Sequence, residues 1–160
     1  MVVGFGAVLW ALLPAGKRAG GAPVTFVYHA VRLGAEGYAL SAVGNDEPGK
    51  ELLGELRENH ISGKYIKTNG FPTSSVLVEL DAEGRPSYIF VDNVAWDHLS
   101  FSREDIEIVQ KADAVCFGTL ASRSPVSRKA VLELLSHARE DALLYYDINL
   151  RENFYSRELI

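Results

Sequence analysis

Cysteine is almost missing from this sequence: Cys116 is the single one among 160 residues. One thiol excludes an internal disulfide and any multi-cysteine zinc site; it favours a reducing cytosol without fixing the compartment. A basic stripe interleaved with aromatics is also lacking, which makes nucleic acid a poor partner. There is no internal repeat and no low-complexity linker. The longest uncharged stretch, residues 2–16 (VVGFGAVLWALLPAG), is shorter than the roughly 20 residues a membrane helix needs. It imitates the core of a signal peptide, yet no basic segment precedes it and Gly4 and Gly6 interrupt it, so a buried strand explains it better. No membrane role and a cytoplasmic location are the expectations.

What is present is ordinary for a folded domain. The chain is 48% hydrophobic and 23% charged, too apolar for disorder and too charged for a membrane bundle. At this length about two-thirds of the unfolded surface can be buried, so a core needs neither disulfide nor metal. The net charge of −5 is uneven. Residues 1–44 hold three basic and one acidic side chain, and residues 45–160 hold 13 basic and 20 acidic ones.

Periodicity then predicts the elements. Val2–Trp10 reads as one buried central strand ended by Pro14 and Gly16. Gly20-Gly21 forms a turn before a helix over 23–33, with Pro23 at its first turn and Gly34 as its stop. Tyr38–Val43 is a second strand. A helix opened by Asn45, Asp46 and Pro48 runs to about Asn59 with Leu52, Leu53 and Leu56 inward. Residues 64–68, 74–81 and 85–91 alternate with period two and predict a small antiparallel sheet, inserted at 64–91. Strand and helix alternation then resumes, with a helix at 103–111, a strand at 114–118, a helix from Ser124-Pro125 to His137 with Val131, Leu132 and Leu135 inward, and a strand at 143–148. The fold class expected is α/β: a mostly parallel, Rossmann-like sheet with helices on both faces and a small extra sheet.

Open parallel sheets bind ligands at the carboxyl ends of their strands, here Trp10–Leu13, Gly118–Arg123, Asp147–Arg151 and the Gly20-Gly21 turn. Gly20-Gly21 either lets a ligand approach helix-start amides or is an ordinary turn. Gly4-x-Gly6 lacks the third glycine of a dinucleotide fingerprint. Asp147-x-Asn149-x-Arg151 puts a carboxylate, an amide and a guanidinium at one strand end, suited to a metal–phosphate or sugar-hydroxyl network, or equally to a structural ion pair. The four histidines show no metal-ligand spacing. Cys116, mid-strand among apolar residues, reads as an inert thiol. Trp96-Asp97-His98 reads as a hinge or a site wall.

Laid out this way, the whole chain resembles the ribokinase-like sugar kinases of the PfkB family, and within it the bacterial fructokinases. The matching stretches are VVGFGxVLWxLLP at 2–14, GGAPxxFxYHAxRLGA at 20–35, SAVGNDExGKELL at 41–53, NVAWDHLxF at 93–101, AVCFGTLAxRSPVSR at 114–128 and DINLRENFYS at 147–156. The resemblance implies a ribokinase-like domain split as 1–63 and 92–160, with 64–91 as a lid over the sugar. It implies ATP-dependent phosphorylation of a sugar hydroxyl, with ATP and Mg²⁺ as the full-length family's requirements and none expected for this chain. The family's base and anion hole lie in a late Gly-Ala-Gly-Asp-type motif that these 160 residues do not contain, so the match is to an amino-terminal half without catalytic residues. Gly20, Gly21, Asp147, Asn149 and Arg151 are the implied substrate-side residues. Fructokinases of this family typically carry Glu at Ala7, Asp at Ala11, Asn at Thr25 and often Gln at Ser122. A weakly held sugar, and self-association through the lid or an exposed sheet edge, follow as expectations; the alternative is a stand-alone or engineered α/β module without activity.

Overall fold

The computed structural model describes residues 1–150, 154–157 and 160, with Leu80 described by its backbone alone. The uncharged amino-terminal run forms two strands rather than one. Strand β1, Val2–Phe5, is followed by Gly6, whose φ of +137° turns the chain, and β2 is Leu9–Leu13 in a different sheet. Hydrophobicity is unbroken across the bend, so the pattern hides it; only a glycine tolerates that φ without strain. Gly16 does not end the region either. It opens β3, Gly16–Gly20, which pairs antiparallel with β2 from Leu13↔Gly16 to Leu9↔Gly20.

Helix α1, Ala22–Arg32, starts with Pro23 in its first turn and stops before Gly34, whose φ is +91°. Strand β4, Gly37–Gly44, lies parallel to β1. Helix α2, Glu47–Glu58, is capped by the Asp46 side chain and buries Leu52 and Leu56. Strand β5, Ile66–Asn69, pairs parallel with β4, so it extends the main sheet instead of joining the lid. Strands β6, Ser75–Leu80, and β7, Pro86–Phe90, form the expected hairpin. After these come α3, Arg103–Val109, β8, Ala114–Gly118, α4, Pro125–Leu135, and β9, Leu143–Asp147.

The main sheet runs β5-β4-β1-β8-β9, parallel throughout. Side chains alternate across it: Val3, Phe5, Leu40 and Ala42 meet Val109, Val131 and Leu134 of α3 and α4, while Ala39 and Val43 meet Val24, Val27, Leu52 and Leu56 of α1 and α2. Helices thus cover both faces. On α4 the inward residue is Leu134; Leu132, expected inside, is exposed, because the helix is rotated to bury Ser127 and Val131.

The second sheet runs β3-β2-β6-β7 and is mixed, since β2 and β6 are parallel. It is therefore built from 9–20 and 75–90, not from 64–91. Its inner face carries Leu9, Ala11, Val76, Val78, Tyr88 and Phe90. Among the described residues no helix is long and apolar enough to cross a membrane.

Candidate functional site

A cavity of about 180 Å³ lies where the second sheet leans over the carboxyl ends of β1, β8 and β9. Most residues singled out from the sequence meet there. Ala7 follows β1, Ala11 lies on β2, Gly20 and Gly21 join β3 to α1, and Asp147 and Asn149 end β9; all six line the cavity. Leu9, Val76, Tyr88 and Phe90 form its lid side, and Gly118, Thr119, Leu120 and Ala121 its floor.

Two close backbone approaches shape this floor. Gly21 has φ +114° and runs against the carbonyl group of Ala7, leaving no room for a Cβ. A Cβ on Gly118 would stand 3.0 Å from the carbonyl oxygen of Asp147. The Thr119 amide donates to that same oxygen over 3.2 Å, and the Thr119 hydroxyl donates to the Asn149 carbonyl over 3.2 Å. Backbone and side-chain hydrogen-bonding groups are thus gathered on the β8–β9 side, whereas the lid side is mostly methyl groups and aromatic rings, with the Tyr88 hydroxyl among them.

Three sequence-based candidates lie elsewhere. Thr25 is exposed on α1, its amide bonded to the Gly21 carbonyl over 2.9 Å; it faces a neighbouring groove of about 640 Å³ shared with Phe26, His29, Cys116 and Tyr145. Helical rotation carries it past the cavity, although Asp147 and Asn149 border both spaces. Ser122 is half-buried in the 3-10 turn Leu120–Ser122 and does not line the cavity. Arg151 lies outside the described residues.

Thr119 falls within the strand end Gly118–Arg123 expected to bind ligand, whereas Tyr88 and Phe90 were not singled out and become site residues only through the sheet topology. Trp96-Asp97-His98 forms a 3-10 turn in which Trp96 and Asp97 are buried, and Asp97 pairs with Arg123. Cys116 is buried, and burial, with the nearby Asp147 charge, pushes its thiol up to about 12.

Among the described residues Asp147 is the only carboxylate lining the cavity, and no three His, Cys, Asp or Glu side chains converge. These residues do not make a metal site of their own for the Mg²⁺ that the family resemblance implies.

The model of the pfkB family carbohydrate kinases matches residues 15–160. Fructokinase-1 of Zea mays is 33% identical over 146 residues, covering 89% of this chain and 45% of the relative. The ATP-dependent 6-phosphofructokinase of Thermoanaerobacterium thermosaccharolyticum is 33% identical over 143 residues, covering 88% and 44%. The crystal structure of an uncharacterized sugar kinase, PH1459, from Pyrococcus horikoshii superposes with a TM-score of 0.88 at 25% identity, covering 99% of this chain and 58% of that one. The chain spans somewhat under half the length of the curated relatives it matches. Each of these kinases is matched over only about half of its own length, as the resemblance implied. The chain belongs to the pfkB family of carbohydrate kinases.

Proposed function

We propose that this chain is the sugar-side half of a fructokinase-like enzyme that transfers a phosphoryl group from ATP to a sugar hydroxyl. The observation that carries this is the cavity itself: Ala7, Ala11, Gly20, Gly21, Asp147 and Asn149, spread over the whole sequence, converge under the second sheet. Catalysis of phosphoryl transfer rests on positioning and electrostatics. The part assigned to these residues is positioning. Asp147 and Asn149 supply an acceptor-only and a mixed donor–acceptor group toward sugar hydroxyls. Thr119 holds the β9 end in place, and Gly21 lets the α1 backbone approach the ligand. Leu9, Val76, Tyr88 and Phe90 give the lid side an apolar surface against the carbon face of a sugar and exclude water from it.

The family resemblance implies Asp at Ala11 and Asn at Thr25 as the side chains that hydrogen-bond sugar hydroxyls, and this chain has neither. Each missing buried partner weakens binding by about 1–3 kcal/mol, so two reduce affinity by roughly a hundredfold or more. Sugar binding by these residues is therefore weak, and half an enzyme is expected to show no turnover. Titration calorimetry with fructose, beside a coupled assay of ATP-dependent fructose phosphorylation, tests both statements. Weak binding without turnover is expected; turnover by a preparation containing only these residues overturns the half-enzyme reading.

Self-association belongs to the same reading. Leu12, Leu77 and Ile89 form an exposed cross-strand row on the outer lid face, and Leu143, Leu144 and Tyr145 expose the β9 edge. Unpaired apolar edges favour pairing with another chain. Sedimentation is expected to show a dimer that Ile89→Lys or Leu144→Lys disrupts, and a monomer at high concentration removes this part of the proposal.

A further inference from the structure

We propose that Arg123 is a positioning residue that fastens the lid to the cavity floor; the inference rests on reading the cavity as the sugar site. Arg123 directly follows the 3-10 turn Leu120–Ser122, whose Leu120 and Ala121 line the cavity. Its side chain is only 7% exposed. Nε donates to Asp97 Oδ1 over 2.8 Å and Nη2 to Asp97 Oδ2 over 2.7 Å, the two-pronged geometry that favours arginine over lysine. Nη2 also donates to the Val91 carbonyl over 2.7 Å. Val91 is the residue after β7, the strand that brings Tyr88 and Phe90 over the cavity.

The surrounding contacts make this a fixed point. The guanidinium carbon lies 4.2 Å over the Trp96 ring and 4.7 Å over the Phe154 ring, and Nη1 stands 3.4 Å from Asp92. Asp97 is itself anchored, accepting from the Val94 amide over 3.1 Å. The incoming stem of the lid joins the same segment. Asn69 Nδ2 donates to the Ala95 carbonyl over 2.9 Å, and the Ala95 amide donates to the Pro72 carbonyl over 2.8 Å. His98 stacks on Phe71 of the incoming stem and contacts Asn93 Oδ1 of the outgoing stem at 2.8 Å.

Both stems of the β6–β7 hairpin therefore converge on residues 93–98. Ser124 and Ser127 tie this segment to the start of α4 by donating to the carbonyls of Asp97 and Trp96. Those bonds stop short of the lid strand, whereas the Arg123 bond to Val91 reaches its end. Loss of the guanidinium leaves Asp97 buried without its charge partner and releases the Val91 carbonyl. Tyr88 and Phe90 then lose the tether beside them. Lysine keeps the charge but lacks the rigid fork that serves Asp97 and Val91 together.

Amide hydrogen exchange on the 160-residue chain tests this with Arg123→Gln and Arg123→Lys, using Val131→Ala in α4 as a buried control. Arg123→Gln is expected to speed exchange in residues 75–90 by about tenfold or more while β4 and β8 keep their protection. Arg123→Lys is expected to fall between Gln and wild type, and Val131→Ala to show no selective lid effect. If the Gln variant does not fold, the Lys comparison decides. Unchanged lid exchange, or a rise shared equally by lid and body, overturns the proposal. Fructose calorimetry on the same proteins separates it from the functional reading. A loosened lid in a chain whose wild type binds no fructose keeps the tether and removes the sugar site. Fructose binding equal in wild type and Arg123→Lys, with equal lid exchange, removes the tether and keeps the sugar site.

Discussion

Gly21 and Ala7 meet backbone to backbone: the start of α1 runs so close to the Ala7 carbonyl that a Cβ on Gly21 would overlap its oxygen, and Gly21 has φ +114°. The contact joins the link between β1 and β2 to the link between β3 and α1, the two crossings by which β2 and β3 leave the main sheet. Gly21→Ala is expected to lower unfolding free energy by about 2–4 kcal/mol, from backbone strain together with forced displacement. Gly34 is the control. Its φ is +91° but nothing lies within 4 Å of its virtual Cβ, so Gly34→Ala carries strain alone, about 1 kcal/mol. Urea unfolding of the two variants checks the ranking, and equal losses would contradict it.

That contrast also marks where sequence reading succeeds and where it stops. Helices α1 and α2 were legible because Pro, Asp and Gly mark their ends and apolar residues recur at helical spacing. The site glycines, Asp147 and Asn149 were legible because they end strands. The bend at Gly6 was not, because Val8, Leu9 and Trp10 continue the apolar run after the chain has changed sheets. Strand β3 (GKRAG) was hidden by poor strand residues; its pairing with β2 along the lid edge holds it extended. The sheet joined by β5 depends on pairing with β4, which local alternation does not encode. Tyr88 and Phe90 reach the cavity through tertiary topology alone, while Thr119 lay within the strand end Gly118–Arg123 that the alternation of elements already marked.

Asp46 supplies a pH-dependent contribution to stability. Partial burial pushes its carboxyl upward, but hydrogen bonds from the Thr73 hydroxyl, the Thr73 amide and the Gly49 amide outweigh this and hold it below the usual aspartate range. A carboxyl depressed in the folded state stabilises fully above its unfolded pKa, and that contribution is lost as pH falls through the folded value. Asp46→Ala is expected to cost about 1–2 kcal/mol at neutral pH through the lost α2 cap. The difference between wild type and variant should stay constant above roughly pH 5 and shrink toward acid. Denaturation curves from pH 7 to 2.5 check this, and a gap widening with acid contradicts it.

Cys116 should behave as a silent thiol. It is buried in β8, and desolvation followed by the Asp147 charge pushes it up to about 12. At pH 8 this leaves about one thiolate in ten thousand. Alkylation of the folded chain by iodoacetamide is expected to be more than about a hundredfold slower than in 8 M urea, where both exposure and an ordinary thiol pKa return. Asp147→Asn removes the like charge and should speed the native reaction modestly. Rapid native labelling would contradict the burial of β8.

Ala11 is the position at which adding one side chain should most change ligand binding. It lies on β2 among Leu9, Val76, Tyr88 and Phe90 and lines the same cavity as Asp147 and Asn149. Ala11→Asp places a carboxylate on an otherwise apolar wall. Without ligand, that group is partly desolvated and should destabilise the chain by about 1–3 kcal/mol. A sugar hydroxyl provides the missing partner, and hydrogen bonds to charged groups contribute about 1.5–3 kcal/mol, so fructose affinity should rise by roughly tenfold or more. Thr25→Asn should do less, because Thr25 faces the neighbouring groove. Calorimetric titration of both variants tests the order. A gain at 25 exceeding that at 11 would move the sugar site into the groove beside α1, and no gain at 11 would remove fructose from the cavity.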